Sequence, residues 1–127
     1  MISVTKIVEF EAAHYLPAHA GKCKNLHGHS YRLEVTVAPS PVEKETVELE
    51  DGMVMDFGDL KDILRSMIDH HFDHQCINDW FSGPTAERMV VWMRDYLPTF
   101  LPDDVELVAI RLWETSTSYA EWRKDAD

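Results

Sequence analysis

Three histidines in the first quarter of the chain have the spacing of a metal site. His27 and His29 lie two apart in the run Leu26-His27-Gly28-His29, and on an extended backbone residues at that spacing project from the same face. His14 ends the first alternating segment, in the run Phe10-Glu11-Ala12-Ala13-His14, so a neighbouring strand can supply a third imidazole. Three neutral imidazoles leave one tetrahedral position free, which is typical of catalytic rather than structural zinc.

Spacing alone leaves other interpretations of these residues open. A His-x-His pair also occurs by chance, and each histidine taken alone is more often an ordinary hydrogen-bonded residue. Cys23 precedes His27 by four positions, and its sulfur as a fourth ligand would close the shell and make the zinc structural. Imidazole also suits iron, copper and nickel, so the pattern does not identify the metal.

Composition and charge exclude several classes of protein. The 127 residues are 45% apolar, which fits one compact domain over residues 1–127. The net charge of −11 argues against a nucleic-acid partner, which requires a basic face, and against anionic lipid. No run resembles a signal peptide or a membrane span, and the two cysteines form no CxxC pair. We therefore expect a cytoplasmic protein, in an oligomer that improves its poor surface-to-volume ratio. The acidity does not exclude a small anionic substrate, since a local cation cluster and a metal can override the mean field.

The hydrophobic pattern predicts an α+β fold in the order strand, strand, helix, helix, strand, strand. Alternation indicates strands at residues 2–13, 29–38, 105–114 and 118–123. The acidic, proline-containing segment 39–52 predicts a solvated loop or hairpin tip without a function. Because the order lacks βαβ crossovers, it favours an antiparallel four-stranded sheet with both helices on one face. The other face then needs cover, which again predicts oligomers.

Two helices are predicted from capping and periodicity. Asp56 is the expected N-cap of helix one, with Asp59 at the capping-box position. Its apolar stripe consists of Leu60, Ile63, Leu64, Met67 and Ile68. Helix two is expected to begin near Pro84, a good first-turn residue, and to end at Pro98. Its buried stripe consists of Ala86, Met89, Val90, Met93 and Leu97.

Several segments together resemble the 6-pyruvoyl-tetrahydropterin synthase / 6-carboxy-tetrahydropterin synthase family. They cover nearly the whole chain and fall in the family's order: residues 10–14, 23–31, 52–61, 73–79, 84–87 and 114–115. The resemblance implies the tunnelling fold, a ββααββ unit. In this fold the sheets of several subunits join into a barrel, usually a homohexamer of two trimers, with active sites between subunits.

The resemblance also implies the roles of the residues around the histidines. His14, His27 and His29 match the family's zinc ligands, and the Zn2+ acts as a Lewis acid on side-chain oxygens of the substrate. Cys23 matches the catalytic cysteine, whose thiol can lose its proton near a dication and then remove a proton from carbon beside the pterin ring. The alternative for Cys23 is an inert buried thiol.

The family has an adjacent Asp-His pair that acts in proton transfer, and the chain offers two candidates, Asp69-His70 and Asp73-His74. The Ile-Asn-Asp run that follows and the distance from the start of helix one select Asp73 and His74 as catalytic. Adjacent residues on a helix do not face each other. These two can cooperate only if the helix has ended there, or through separate partners. His70 and His71 are then expected to face solvent or to support their neighbours.

The implied substrate is 7,8-dihydroneopterin triphosphate. Glu114 matches the glutamate that anchors the pterin, since a carboxylate can accept from the 2-amino group and the ring N–H together. Thr85 matches a threonine that contacts the ring, whereas Ala86 replaces the second threonine of some relatives. Thr85 and Glu87 have the alternative of capping helix two. Weaker candidates for binding the phosphates are His19, Lys22 and Lys24.

The interval from Cys23 to His27 resembles that of bacterial 6-carboxy-tetrahydropterin synthases, which feed 7-deazaguanine (queuosine-type) synthesis. We therefore expect a zinc-dependent lyase that releases triphosphate and acetaldehyde from the substrate. The alternative is 6-pyruvoyl-tetrahydropterin synthase, which keeps the side-chain carbons. A non-catalytic metal- or pterin-binding subunit is a third hypothesis, and the presence of Cys23, Asp73 and His74 argues against it.

Overall fold

The computed structural model describes residues 1–41 and 51–125. Most of the predicted loop at 39–52 therefore lies outside the described residues. The main elements are β1 (Val4–His14), β2 (His27–Pro39), α1 (Phe57–His71), α2 (Ala86–Tyr96), β3 (Val105–Thr115) and β4 (Ser118–Arg123). Short 3-10 helices cover Lys22–Lys24, Ile77–Asp79 and Leu97–Phe100. No helix in the described part of the chain combines the length and apolarity needed to cross a membrane.

The four strands form one antiparallel sheet in the order β1-β2-β3-β4. α1 packs on β1, and α2 packs on β3 and β4, so the α+β prediction with two helices on one face is confirmed. Strands alternate their side chains between two faces, and the inward face meets the apolar stripes of both helices. The largest fully buried side chains include Tyr31, Leu33, Leu60, Leu64, Met67, Phe72, Met89, Met93 and Ile110.

The opposite face of the sheet is polar and carries internal pairs. Arg111 Nη2 lies 2.9 Å from the Glu121 carboxylate, and its guanidinium lies 4.3 Å from the centre of the Tyr119 ring. Trp113 Nε1 donates to Glu34 at 2.5 Å. The cover of this face by further copies of the chain, and hence the barrel, stays a prediction.

The start of helix one was predicted correctly. The Asp56 carboxylate accepts the backbone N–H of Gly58 at 2.7 Å and that of Asp59 at 3.1 Å. These two donors have no partner inside the helix, so an N-cap side chain stabilises them.

The bounds of helix two differ slightly from the prediction. The helix begins at Ala86 rather than Pro84, because Thr85 is the N-cap and its hydroxyl accepts from the Arg88 N–H at 3.2 Å. The α-helix ends at Tyr96, and Pro98 lies in the 3-10 turn that follows. Proline is tolerated in the first turn of a helix, because the N–H that it lacks would have no intrahelical acceptor there.

Replacement of Asp56 by Ala is expected to lower the free energy of unfolding by about 1 kcal/mol, because the two N-terminal amides of α1 lose their acceptor. Urea denaturation of the variant and the wild type measures the difference. Asp62→Ala, an exposed position on the same helix, is the matched control. Equal losses in both variants would contradict the assignment of the cap.

Candidate active site

The pairing of β1 with β2 brings the three histidines together. His14 lies opposite His27, and Ala12 lies opposite His29, so all three imidazoles project from the sheet face that the helices cover. One ring nitrogen from each histidine lies within 4.8 Å of the others. His14 is fully buried and the other two are partly buried. The structure therefore assembles the predicted ligand set at one end of the core.

Hydrogen bonds to carbonyls fix the tautomers of two of these rings. Nδ1 of His14 bonds the Pro84 carbonyl at 2.8 Å, and Nδ1 of His27 bonds the Asn25 carbonyl at 2.7 Å. A carbonyl only accepts, so each Nδ1 carries the proton and each Nε2 presents a lone pair. The two Nε2 atoms lie 3.0 Å apart, where unshared lone pairs repel. A cation between them removes this repulsion, so the donor set fits a metal rather than ordinary hydrogen-bonded histidines.

Burial also favours the neutral form of the ligands. Desolvation lowers the pKa of His14 and the pKa of His29, although the nearby Glu114 carboxylate opposes the shift in both. A histidine must be neutral to bind a metal. The burial that completes the core therefore also prepares these rings for coordination at neutral pH.

Glu114 lies against the metal-site face of the histidines. Its Oε1 is 3.3 Å from His14 Nε2 and 3.5 Å from His29 Nε2. These separations exceed the usual N–H···O range, and at least the His14 nitrogen has no proton to donate. Burial and the Glu114 charge together raise the pKa of Tyr31. The carboxylate therefore lies where a cation between the rings would attract it.

Glu114 also lines a cavity of about 250 Å³ together with Ala86, Glu87 and Tyr119. Glu87 is predicted only as a possible cap of α2, but the N-cap is Thr85, and within residues 1–41 and 51–125 the Glu87 side chain makes no capping hydrogen bond. The signal that could have revealed Glu87 was its place in the Pro-Thr-Ala-Glu run. Two carboxylates therefore share this cavity.

The predicted catalytic cysteine lies in the loop between β1 and β2, outside the group of three histidines. Cys23 is half-buried in the 3-10 helix of the β1–β2 loop, and its carbonyl accepts the Leu16 N–H at 2.8 Å. Among the described residues, the group that could hold a metal contains the three histidines and not Cys23. The open, three-ligand arrangement is therefore the one that the structure assembles. His19, Lys22 and Lys24 are exposed on the same loop.

Asp73 and His74 lie beyond the end of α1. The helix ends at His71, and His74 adopts a φ of 59°, a left-handed conformation that is uncommon for residues other than glycine. His74 Nδ1 thereby lies 3.1 Å from the carboxylate of Asp73. The two residues thus meet the condition for cooperation, because the helix has ended.

The surroundings of Asp73 keep it ionised. Partial desolvation acts to raise the pKa of Asp73, but the hydrogen bond from the Glu11 N–H at 3.0 Å and the interaction with His74 outweigh it and lower the pKa. His74 and His29 line one cavity of about 450 Å³, together with Glu11 and Ser30. Among the described residues, no hydrogen bond or ion pair joins Cys23 to either member of the pair.

The competing Asp69-His70 pair is engaged elsewhere. Asp69 accepts from Arg65 at 2.6 Å, and His70 Nδ1 bonds the Ser66 carbonyl one turn back at 2.7 Å. His71 likewise bonds the Met67 carbonyl at 2.9 Å. Its ring packs against Trp80, Trp92 and Tyr96.

His27→Ala and His29→Ala are each expected to abolish stoichiometric metal binding, because two imidazoles leave a metal under-coordinated. Elemental analysis after dialysis against zinc measures the metal-to-chain ratio. His70→Ala, which removes an exposed histidine from α1, is the control and should keep the wild-type ratio. Retention of tight zinc by both ligand variants would rule out this site.

The chain is similar over most of its length to known proteins. The sequence model of the 6-pyruvoyl tetrahydropterin synthase family matches residues 3–125. A 6-carboxy-5,6,7,8-tetrahydropterin synthase of Synechocystis sp. is 45% identical over 92 residues, covering 71% of this chain and 70% of the relative. The dihydroneopterin monophosphate aldolase of Pyrococcus furiosus is 33% identical over 105 residues, covering 83% of this chain and 82% of the relative.

A similar fold is known from a solved structure. The 6-pyruvoyl tetrahydropterin synthase of Caenorhabditis elegans matches with a TM-score of 0.78 at 22% identity, covering 98% of this chain and 96% of that chain. At this identity the likeness concerns the fold alone. It confirms the ββααββ unit that the resemblance implied.

Proposed function

The chain belongs to the 6-pyruvoyl tetrahydropterin synthase family, and from this premise we propose that it is a zinc-dependent 6-carboxy-5,6,7,8-tetrahydropterin synthase. The proposed reaction converts 7,8-dihydroneopterin triphosphate to 6-carboxytetrahydropterin and releases triphosphate and acetaldehyde, in 7-deazaguanine (queuosine-type) biosynthesis. The observation that carries the proposal is the convergence of two lone pairs, because Nε2 of His14 and Nε2 of His27 lie 3.0 Å apart. The third histidine, His29, lines the cavity of about 450 Å³. Zinc is proposed because three imidazoles and one free position are its catalytic pattern.

The proposed reaction needs no external reductant. The ring passes from the dihydro to the tetrahydro level, and the first side-chain carbon is oxidised to a carboxyl group. Two of the electrons lost by that carbon reduce the ring, and one water supplies the second oxygen of the carboxyl group. The bond between the first and second side-chain carbons breaks, so that the remaining two carbons leave as acetaldehyde, and the phosphate ester leaves as triphosphate. The residues therefore have to move protons and stabilise charge. Bound to His14, His27 and His29, zinc would supply Lewis-acid stabilisation of negative charge on side-chain oxygens.

Cys23 and the Asp73-His74 pair are the proposed proton-transfer groups. The Asp73 carboxylate accepts from the Nδ1–H of His74. This leaves Nε2 of His74 available toward the cavity that His29 also lines. Cys23, as a thiolate, would remove a proton from carbon beside the ring. Because the described contacts do not join Cys23 to the pair within one chain, we propose that they act together across subunits. A homohexamer of two trimers would provide such interfaces.

The pterin ring is proposed to bind in the cavity that Glu114 and Glu87 line. A carboxylate there can accept from the 2-amino group and the neighbouring ring N–H at the same time. Thr85 immediately precedes Ala86, which lines this cavity, and its hydroxyl can still donate to a ligand while it caps α2. Cys23 must remain unoxidised for the proposed chemistry, so a reducing compartment such as the cytoplasm suits the enzyme.

Two other activities are tested by the same assay. A 6-pyruvoyl product would indicate that triphosphate is eliminated while the side-chain carbons are kept. The name of the Pyrococcus furiosus relative indicates an aldolase that acts on dihydroneopterin monophosphate, so the monophosphate belongs in the substrate panel. The three-residue interval between Cys23 and His27 favours the carboxy synthase over the pyruvoyl enzyme.

The zinc-loaded chain is expected to release acetaldehyde and triphosphate from 7,8-dihydroneopterin triphosphate in equal amounts. Cys23→Ala should keep the full zinc content but lose at least about a hundredfold in kcat, because it removes the proton acceptor. Product analysis by mass spectrometry, an aldehyde assay and elemental analysis measure these quantities. Turnover without acetaldehyde would reject the carboxy synthase, and full activity of Cys23→Ala would reject the role of the cysteine.

A further inference from the structure

Arg65 is the residue through which α1 reaches both β1 and the Asp73-His74 pair. It lies on the half-buried side of the helix, with its side chain 31% exposed. One arm of its guanidinium, Nη1, donates to the Glu9 carbonyl on β1 at 2.8 Å. The other arm, Nη2, donates to Asp69 at 2.6 Å and lies 3.6 Å from Asp73 Oδ2. A single side chain therefore connects a strand, a helix turn and the loop that follows the helix.

Asp73 is held from two sides at the edge of β1. Its Oδ1 accepts the Glu11 N–H at 3.0 Å, and its Oδ2 faces both Arg65 Nη2 and His74 Nδ1. The Glu11 carbonyl in turn accepts the His74 N–H at 2.6 Å. The carboxylate is thus fixed to the strand by one oxygen and presents the other to the imidazole.

The conformation of His74 depends on this support. A left-handed φ is unfavourable for a residue other than glycine, and such a conformation persists when surrounding contacts determine it. The contacts that hold it are the bond to the Glu11 carbonyl and the pairing with Asp73. A group that fixes Asp73 therefore also limits the directions in which the imidazole can point.

Arginine suits this position better than lysine. The guanidinium is a planar fork whose donors address several acceptors at once, whereas an ammonium is a compact point charge. Asp69, at i+4, accepts from the same Nη2 that faces Asp73 and so holds that arm of the guanidinium in place. This gives a role to the aspartate of the rejected Asp69-His70 pair.

From this geometry we propose that Arg65 is a positioning residue that holds Asp73 in place, so that Asp73 can orient His74 for proton transfer. This inference rests on the proposed function, which assigns proton transfer to the Asp73-His74 pair. The charged groups that face Asp73 are Arg65 from α1 and His74 from the loop. The Glu11 carboxylate on β1 is turned to the Ser30 hydroxyl, which donates to it at 2.7 Å.

Replacement of Arg65 by Gln is expected to lower kcat about tenfold or more while KM stays within about twofold, because Arg65 positions Asp73 and does not touch substrate. The same change should raise the pKa of Asp73, since a cation beside an ionised carboxylate is lost. The zinc-loaded enzyme is used throughout. Steady-state kinetics across pH gives the first quantity, and NMR titration of 13C-labelled aspartate carboxyls gives the second, with Asp73 assigned from Asp73→Asn.

Two further variants separate positioning from charge and from general stability. Arg65→Lys keeps the charge but cannot reach three acceptors. The pKa of Asp73 should therefore stay close to its wild-type value, whereas kcat should still fall. Arg94→Gln removes a half-buried arginine that pairs with Asp95 on α2, and it should change neither quantity.

Several outcomes would overturn the proposal. Wild-type kcat in Arg65→Gln would do so, and so would a lower Tm and kcat with an unchanged Asp73 titration, which indicate a merely structural residue. Full activity of Arg65→Lys would reduce the role to charge alone and reject positioning. If the wild type fails to turn over dihydroneopterin triphosphate, the proposed function fails. The Asp73 titration in Arg65→Gln still decides whether Arg65 holds the carboxylate.

Discussion

The register between β1 and β2 is the constraint on which the candidate site depends. Side chains alternate along a strand, so a slip of one residue would turn His27 and His29 to the far face of the sheet. Apolar residues on the same face prevent the slip, because it would also expose them. Phe10 and Tyr31 stack at 4.9 Å between the ligands and the rest of the core. The candidate metal site therefore derives its geometry from the free energy of core packing.

The edge of β1 that does not pair with β2 positions the Asp73-His74 pair. On one side the strand pairs with β2, and on the other its backbone bonds the segment that follows α1, through Glu11 with His74 and through Ala13 with Gln75. This contact covers an edge that would otherwise expose unpaired backbone groups. One strand thus serves as the common reference for the histidine cluster and for the Asp73-His74 pair.

Local patterns predicted the elements, because these follow from short-range periodicity, whereas the assignment of the three histidines as a ligand set depended on the family resemblance. Alternation found the four strands, the cap at Asp56 was visible in the residue types, and the His-x-His spacing gave the shared face. Contacts between distant segments produce no short-range pattern in the sequence. The link from Arg65 to Glu9 spans 56 positions, and Glu87 meets Glu114 only through the packing of α2 on β3. The start of α2 shifted because a threonine cap competes with a first-turn proline, and sequence alone does not rank the two.

The bond from His14 to the Pro84 carbonyl ties the two halves of the fold to one metal site. His14 belongs to β1, whereas Pro84 directly precedes the Thr85 cap of α2. The carbonyl receives the Nδ1 proton and so fixes the Nε2 lone pair that a metal requires. The backbone that leads into α2 therefore sets the tautomer of His14, the candidate ligand at the end of β1. It also brings Glu87 beside Glu114 in the adjoining cavity. Neither the hairpin nor the helix can complete the site alone, so ligand chemistry and the folding of the whole chain are coupled.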